Sequence, residues 1–336
     1  MKITIIGAGA IGGYVGAKLA MAGEDVTFIV RGANLTAIRK NGMKLIMHDG
    51  TEHVAANVKA TSDYAEPGIQ DLVILAMKAH QLESVVNSLP QLMGPDTTVV
   101  TMQNGIPFWY FHKHGGPFEG RRVHSVDPDG HISKMIPSEQ VIGCVVYPAS
   151  ELIAPGVVKH IEGDRFPIGE LDGLISTRAS RISDCFSNAG FKAPVLENIR
   201  AEIWLKLWGN LTFNPISGLT GSTLLDICQN PLSRELAANM MREAQQVAEK
   251  LGIGFRVTLE QRIAGAEKVG RHKTSMLQDI EAGRAPEIDA LVGSVVELGR
   301  LTQTPTPHIN TAYALVKLLA QTMAEREEKK SALFPQ

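Results

Sequence analysis

Cysteine is scarce in this chain, with three among 336 residues. Cys144, Cys185 and Cys228 are widely spaced and set in apolar surroundings. An odd, scattered set of thiols argues against a disulfide framework and reads as reduced core cysteines. No apolar run approaches the roughly 18 residues that a membrane-spanning helix needs. Charge of one sign is also missing: the formal net charge is −2 and no long run of one sign occurs, so the chain lacks a nucleic-acid footprint. There is no internal repeat and no low-complexity segment. The first residues read as a strand and not as a signal peptide, which makes the cytoplasm the expected compartment. What remains is an ordinary globular composition, 44% hydrophobic and 20% charged, in a chain long enough for two domains with sizeable cores.

Lys2 to Gly16, KITIIGAGAIGGYVG, carries the clearest signal. Lys2 to Ile6 is a short β-branched run suited to one buried parallel strand. Gly7, Gly9 and Gly12 follow in G-x-G-x-x-G spacing, and Ala10 to Ala22 reads as a helix ended by Gly23. In that context Gly7 lets the strand turn sharply, Gly9 lets a pyrophosphate approach, and Gly12 lets helix and strand pack closely. The helix start offers free N–H groups and a positive dipole end. Gly7, Ala8, Gly9, Ala10, Ile11 and Gly12 are therefore candidate dinucleotide contacts.

A second strand, Val26 to Val30, ends at Arg31-Gly32. NAD-selective sites usually place Asp or Glu at this tip, for the ribose 2′-OH. Here Glu24 and Asp25 lie at the opposite end. A guanidinium suits a 2′-phosphate, so the expected cofactor is NADP(H). The plainer alternative is a solvated loop arginine.

Further on, Ala33 to Asn41 reads as a helix, Met43 to His48 and His53 to Val58 as strands around Asp49-Gly50, and Asp71 to Ala76 as a buried strand. Lys78 follows at the carboxyl edge of the sheet, where open α/β sheets bind ligands; it can serve a phosphate or stand in solvent. A helix from Gln81 leads to a strand at 97–102, and Asn104-Gly105 reads as a turn at the same edge. Segment 107–137 then loses all periodicity and holds Phe108-Trp109-Tyr110-Phe111 with four histidines, the composition of a lid or a disordered loop. Its histidines match no strong zinc spacing, and no metal is expected. Val141 to Pro148 resumes as a strand, Gly156 to Ile161 and Phe166 to Glu170 as a hairpin, and Ser176 to Ala189 as a helix. From about residue 197 the pattern is nearly all helical. The expected fold is α/β, with a Rossmann-type dinucleotide-binding domain over 1–196 followed by an all-α domain over 197–336.

Glu197 to Asn214 is apolar on most sides, the pattern of a buried helix. Lys206 and Asn210 share one face about 6 Å apart. Asn214 follows one turn on, before Pro215, where the helix should bend or stop. Lys206 can equally pair with Glu202. In the segment 272–280, Ser275 and Gln278 spell a capping box, and Pro286-Glu287 a helix start with an acid in its first turn.

Taken together, GAGAIGG at 7–13, Arg31, KAHQ at 78–81, QNG at 103–105, ENIRAEIWLKLWGNLTFNP at 197–215 and SMLQDIEAGRAPEID at 275–289 resemble the ketopantoate reductases (2-dehydropantoate 2-reductases) over nearly the whole chain. The resemblance implies a Rossmann domain plus a helical domain like that of 6-phosphogluconate dehydrogenase. It also implies NADPH-dependent reduction of ketopantoate to pantoate, a step towards pantothenate. It assigns Lys206 as catalytic lysine, with Glu287 orienting it or holding a substrate hydroxyl. Asn210, Asn214, Ser275 and Asn104 become substrate contacts; Arg31, Lys78, Gln81 and Asn104 become cofactor contacts. The implied partner is a small 2-oxo acid, with no nucleic acid and no membrane, and with room for a homodimer. The chain departs from the family pattern in the long aromatic loop 107–137 and in His272, where the family has Asn. Both bear on the substrate, so a reductase of another 2-oxo acid or hydroxy-carbonyl compound is the first alternative. A non-catalytic NADPH sensor is the second.

Overall fold

The computed structural model describes residues 1–333, side chains at 327 and from 330 onward excepted. The chain forms two compact units, 1–122 with 127–202, and 123–126 with 203–336. The second unit thus takes in 123–126, and its division from the first falls at 202/203, within a helix, where the sequence suggested 196. Residues 334–336 of the expected helical domain lie outside the described residues.

In the first unit, β1 (Lys2–Ile6), α1 (Ala10–Met21), β2 (Asp25–Ile29) and α2 (Gly32–Asn41) follow in order. Then come β3 (Met43–Ile46), β4 (Glu52–Ala55), β5 (Lys59–Thr61), β6 (Leu72–Leu75), β7 (Thr98–Thr101) and the short helix α3 (His131–Met135). The unit is completed by β8 (Val141–Cys144), β9 (Ala149–Ala154), β10 (Val157–Glu162), β11 (Ile168–Gly169) and α4 (Thr177–Asn188). The large sheet has the order β11-β8-β7-β6-β1-β2-β5. All its neighbours are parallel except the edge pair β8–β11. The strand order reverses its direction of winding at β1, so the Rossmann switch point lies at the tips of β1 and its neighbours. A second sheet, β4-β3-β10-β9, covers the other side of α1. A Cβ on Gly13 would stand 2.7 Å from Val158 of the small sheet, and one on Gly16 2.4 Å from Phe28 of the large one. Covered from both sides, α1 is apolar nearly all round.

Three local expectations change here. The stretch after Lys78 is not an α-helix but two 3₁₀ turns, Ala79–Ser84 and Val86–Leu92; Pro90, which lacks an amide donor, falls inside the second. The strand 157–162 pairs antiparallel with 149–154, across the Pro155-Gly156 turn, while 168–169 pairs with β8. The strand expected over 53–58 ends at Ala55, and the unforeseen β5 extends the large sheet beside β2.

The aromatic run in 107–137 is core and not lid. Phe108, Trp109, Tyr110 and Phe111 are all buried, and the Trp109 indole N–H donates to Thr101 Oγ1 at 3.0 Å. Buried Arg200 holds the loop by its backbone. It donates to Tyr110 O at 2.8 Å, to Leu171 O at 2.6 Å and to His112 O. Burial pushes this guanidinium below its usual value. Arg200→Met should lower the unfolding free energy by about 3–5 kcal/mol, since it strands three carbonyls at ~1–3 kcal/mol each. A urea-unfolding midpoint like wild type would refute this.

In the second unit come α5 (Ile199–Thr220, which starts in the first), α6 (Leu224–Gln229), α7 (Pro231–Lys250), α8 (Leu259–Val269), α9 (Ser275–Glu281), α10 (Ser294–Leu301) and α11 (Pro307–Leu333). Trp208 anchors the packing: its N–H donates to Met241 O at 2.8 Å and its ring stacks on Phe255 at 4.1 Å. The helix does not stop at Pro215 but continues to Thr220. All side chains from Leu211 to Ser217 are buried, and that packing outweighs the one amide the proline removes. Segment 123–126 is clasped by Glu297 of α10. Its carboxylate accepts from His124 N at 2.8 Å, Ser125 N at 2.7 Å and Ser125 Oγ at 2.5 Å.

No helix among the described residues is long and apolar enough to cross a membrane.

Candidate functional site

At the carboxyl tips of β1, β2 and β6 a cavity of about 520 Å³ opens, lined by Gly7, Ala8, Gly9, Arg31 and Gln81 together with Asn34, Ser62, Tyr64, Ser84 and Ser88. The glycine spacing has the expected consequences. Gly7 has φ +96°, a value that L side chains rarely adopt, and a Cβ on Gly12 would stand 2.0 Å from Gly7 O. A Cβ on Gly9 would meet nothing within 4 Å, so the backbone faces open space on the cavity side. Gly9 is also the N-cap of α1, and no side chain caps that end. Ala10, Ile11 and Gly12 form its first turn. The arrangement fits a pyrophosphate resting on the helix start.

Among the described residues that line the cavity, Arg31 is the one with a charged side chain, and none is a carboxylate. Asp25 is committed at the far end of β2, where Lys59 Nζ meets its Oδ1 at 2.7 Å. Glu24 is bonded to the Met1 amino group. Burial pushes the Tyr64 phenol up, and the charge of Arg31 opposes that shift. Sequence reasoning missed Ser62 and Tyr64 because they follow β5, a strand of only three residues with no readable periodicity.

Lys78 and Asn104 are half-buried beyond the carboxyl ends of β6 and β7. Lys78 N donates to Gln81 Oε1 at 3.2 Å. Gln103 ties the two strand ends together: its amide donates to Leu75 O at 2.9 Å and Met77 O at 3.2 Å. Gly105 (φ +91°) turns the chain directly after Asn104. Three of the four loop histidines have separate partners: the His131 ring meets Glu83 and Asn87, the His114 ring lies against Tyr110 and Phe111, and His112 lies near Glu139.

In the second unit Lys206, Asn210 and Asn214 recur every four residues along α5 and so form one stripe. Lys206 and Asn210 are half-buried and Asn214 is buried. Asn214 Nδ2 donates to Ser275 Oγ at 3.4 Å, which brings two of the expected substrate contacts together. Ser275 is not the helix cap that its spacing suggested. Thr274 caps α9, its Oγ1 accepting from Leu277 N at 3.3 Å, and leaves the Ser275 hydroxyl exposed on the first turn. His272 is half-buried, and its carbonyl accepts from Leu224 N at 3.0 Å, pinning the loop before α9 to α6. Glu287 is half-buried between buried Pro286 and Ile288. The helix expected from Pro286 opens with a π-turn at Asp289–Gly293, anchored where Tyr313 OH donates to Asp289 Oδ1 at 2.6 Å. Glu202 is not a surface carboxylate: it is 1% exposed and accepts from Tyr147 OH at 2.7 Å and Arg165 Nη1 at 2.5 Å.

Comparison with known proteins agrees across both units. The family model described as ketopantoate reductase PanE/ApbA matches residues 3–173, and that of its C-terminal part matches 198–320. A curated 2-dehydropantoate 2-reductase of Mesorhizobium japonicum is 54% identical over 95% of this chain and 98% of its own. A crystal structure from Ralstonia solanacearum, provisionally named a ketopantoate reductase, aligns with TM-score 0.91 and 44% identity over 96% of this chain and 98% of that one. D-mandelate dehydrogenase, solved with NADH and anilino(oxo)acetate, aligns with TM-score 0.81 and 25% identity over 96% and 99% of the two chains. With the glycine-spaced strand–turn–helix in one unit, the Lys-Asn-Asn stripe in the other, family models matching 3–173 and 198–320, and a 54% identical relative, this chain belongs to the ketopantoate reductase family.

Proposed function

We propose that this chain reduces the 2-oxo group of ketopantoate to the hydroxyl of pantoate, with NADPH as reductant. The observation that carries the reading is the match to a 2-dehydropantoate 2-reductase at 54% identity over 95% of the chain. The choice of NADPH rests on Arg31, the one charged side chain among the described residues that line the cavity, none of which is a carboxylate. Its guanidinium can bind a 2′-phosphate by charge-assisted hydrogen bonds, while the start of α1 takes the pyrophosphate. Lys78, Gln81 and Asn104 would flank the bound dinucleotide. When bound, that cofactor supplies the hydride.

The chain's own residues supply the rest. Hydride addition to a ketone leaves negative charge on oxygen, and Lys206 is proposed to stabilise that charge and then give the oxygen its proton. Ser275, oriented by Asn214, is assigned to the substrate carboxylate, and Asn210 and Asn104 to its remaining polar groups. Glu287 would hold a substrate hydroxyl or orient the lysine. The three cysteines are buried and form no disulfide with one another, which suits a reducing compartment, and the cytoplasm is the proposed location.

The second reading is a reductase of an aryl-substituted 2-oxo acid, which the likeness to D-mandelate dehydrogenase favours. Against it, the aromatic run 108–111, which the sequence offered as a lid, is buried in the core. Purified protein assayed with NADPH and NADH against ketopantoate and a panel of 2-oxo acids separates the two. We expect kcat/KM highest for ketopantoate with NADPH; an order-of-magnitude preference for phenylglyoxylate would replace the first reading with the second.

A further inference from the structure

We propose that His131 is a positioning residue for the dinucleotide cavity, clipping its 3₁₀ wall from behind. The wall is the segment 79–92, from which Gln81, Ser84, Val85 and Ser88 line the cavity. Short 3₁₀ turns have poorer hydrogen-bond geometry than an α-helix, so such a wall depends on outside contacts to keep its side chains in place. His131 provides two. Its Nδ1 meets Glu83 Oε1 at 2.5 Å and its Nε2 meets Asn87 Oδ1 at 2.9 Å. Glu83 and Asn87 directly precede Ser84 and Ser88, so each nitrogen of one ring fixes the neighbour of one cavity-lining hydroxyl.

The imidazole is itself firmly mounted. It opens α3, whose first turn is held by the fully buried Asp127 carboxylate, which accepts from Ile132 N at 3.0 Å, Ser133 N at 3.0 Å and Ser133 Oγ at 2.5 Å. Ile132 and Ile136, next along the chain, are buried. A ring on a hydrogen-bonded mount, touching a 3₁₀ wall behind its cavity-lining residues, matches how neighbouring side chains pre-organise a binding site. Because the cavity takes in the tip of β2, where the adenosine end of a Rossmann dinucleotide lies, the clip acts on adenosine-side affinity and not on the carbonyl chemistry. It rests on the reading of this cavity as the cofactor site.

The test is calorimetric binding of NADPH and of adenosine 2′,5′-bisphosphate to wild type, His131→Ala, His131→Asn and Glu83→Ala/Asn87→Ala. His131→Ala should weaken both ligands about 3- to 10-fold, while kcat at saturating NADPH and KM for the ketone stay as in wild type. The asparagine variant keeps an amide near the Nδ1 position and should recover part of the affinity. The double variant should match His131→Ala, and adding His131→Ala to it should change little more. Unchanged affinity in His131→Ala, even with a lower Tm, would reduce the clip to a surface ion pair of little consequence and overturn the proposal; so would a loss confined to kcat. If wild type binds 5′-AMP as tightly as the bisphosphate, the NADPH reading fails instead, and the His131→Ala to wild-type ratio for 5′-AMP decides the clip.

Discussion

Lys206→Ala should lower kcat by about 10²–10³, the usual cost of removing one group that stabilises a developing oxyanion, and leave the Kd for NADPH unchanged. The second half rests on reading the cavity as the nucleotide site: its lining among the described residues falls within 6–88, whereas Lys206 lies on α5. Lys206→Arg keeps a cation but replaces a compact ammonium by a planar group that does not give up its proton. It should recover little of the rate. Stopped-flow oxidation of NADPH with ketopantoate measures both variants, and a Lys206→Ala rate within threefold of wild type would remove the lysine from the chemistry.

Arg31→Ala should raise the Kd for NADPH about 10- to 100-fold while leaving NADH nearly unaffected. One or two charge-assisted hydrogen bonds at ~1.5–3 kcal/mol each set that range. Arg31 is exposed, so the smaller figure should apply in high salt, where screening weakens the contact. Fluorescence titration with both nucleotides at two ionic strengths reads it out. Equal losses for NADPH and NADH would mean that the guanidinium holds something common to both, and not the 2′-phosphate.

Much of the geometry of this candidate site is legible in the chain because its physics is local. Strand, glycine spacing and helix start lie within Lys2 to Gly16, and the Lys206-Asn210-Asn214 stripe is set by helix geometry alone. Where reading failed, a distant partner decided the outcome. The aromatic run 108–111 has no period, and only its burial with Arg200, remote in sequence, shows it to be core. Ser275 and Thr274 are both good caps, and the choice between them turns on where the loop before α9 is pinned to α6. Pro215 looks like a helix end until the packing around it is counted. Tyr64 enters the cavity through a strand too short to leave a pattern.

The clasp of Glu297 on residues 124 and 125 makes the second unit a discontinuous assembly. On the ribosome, 123–126 emerge long before the helices that receive them, and they must wait until Glu297 has been made. A gene fragment starting at residue 197 would leave that carboxylate without its three donors and would lack Val123, which is wholly enclosed in the intact chain. Attempts to express, swap or split the helical half should therefore carry the short peptide with it.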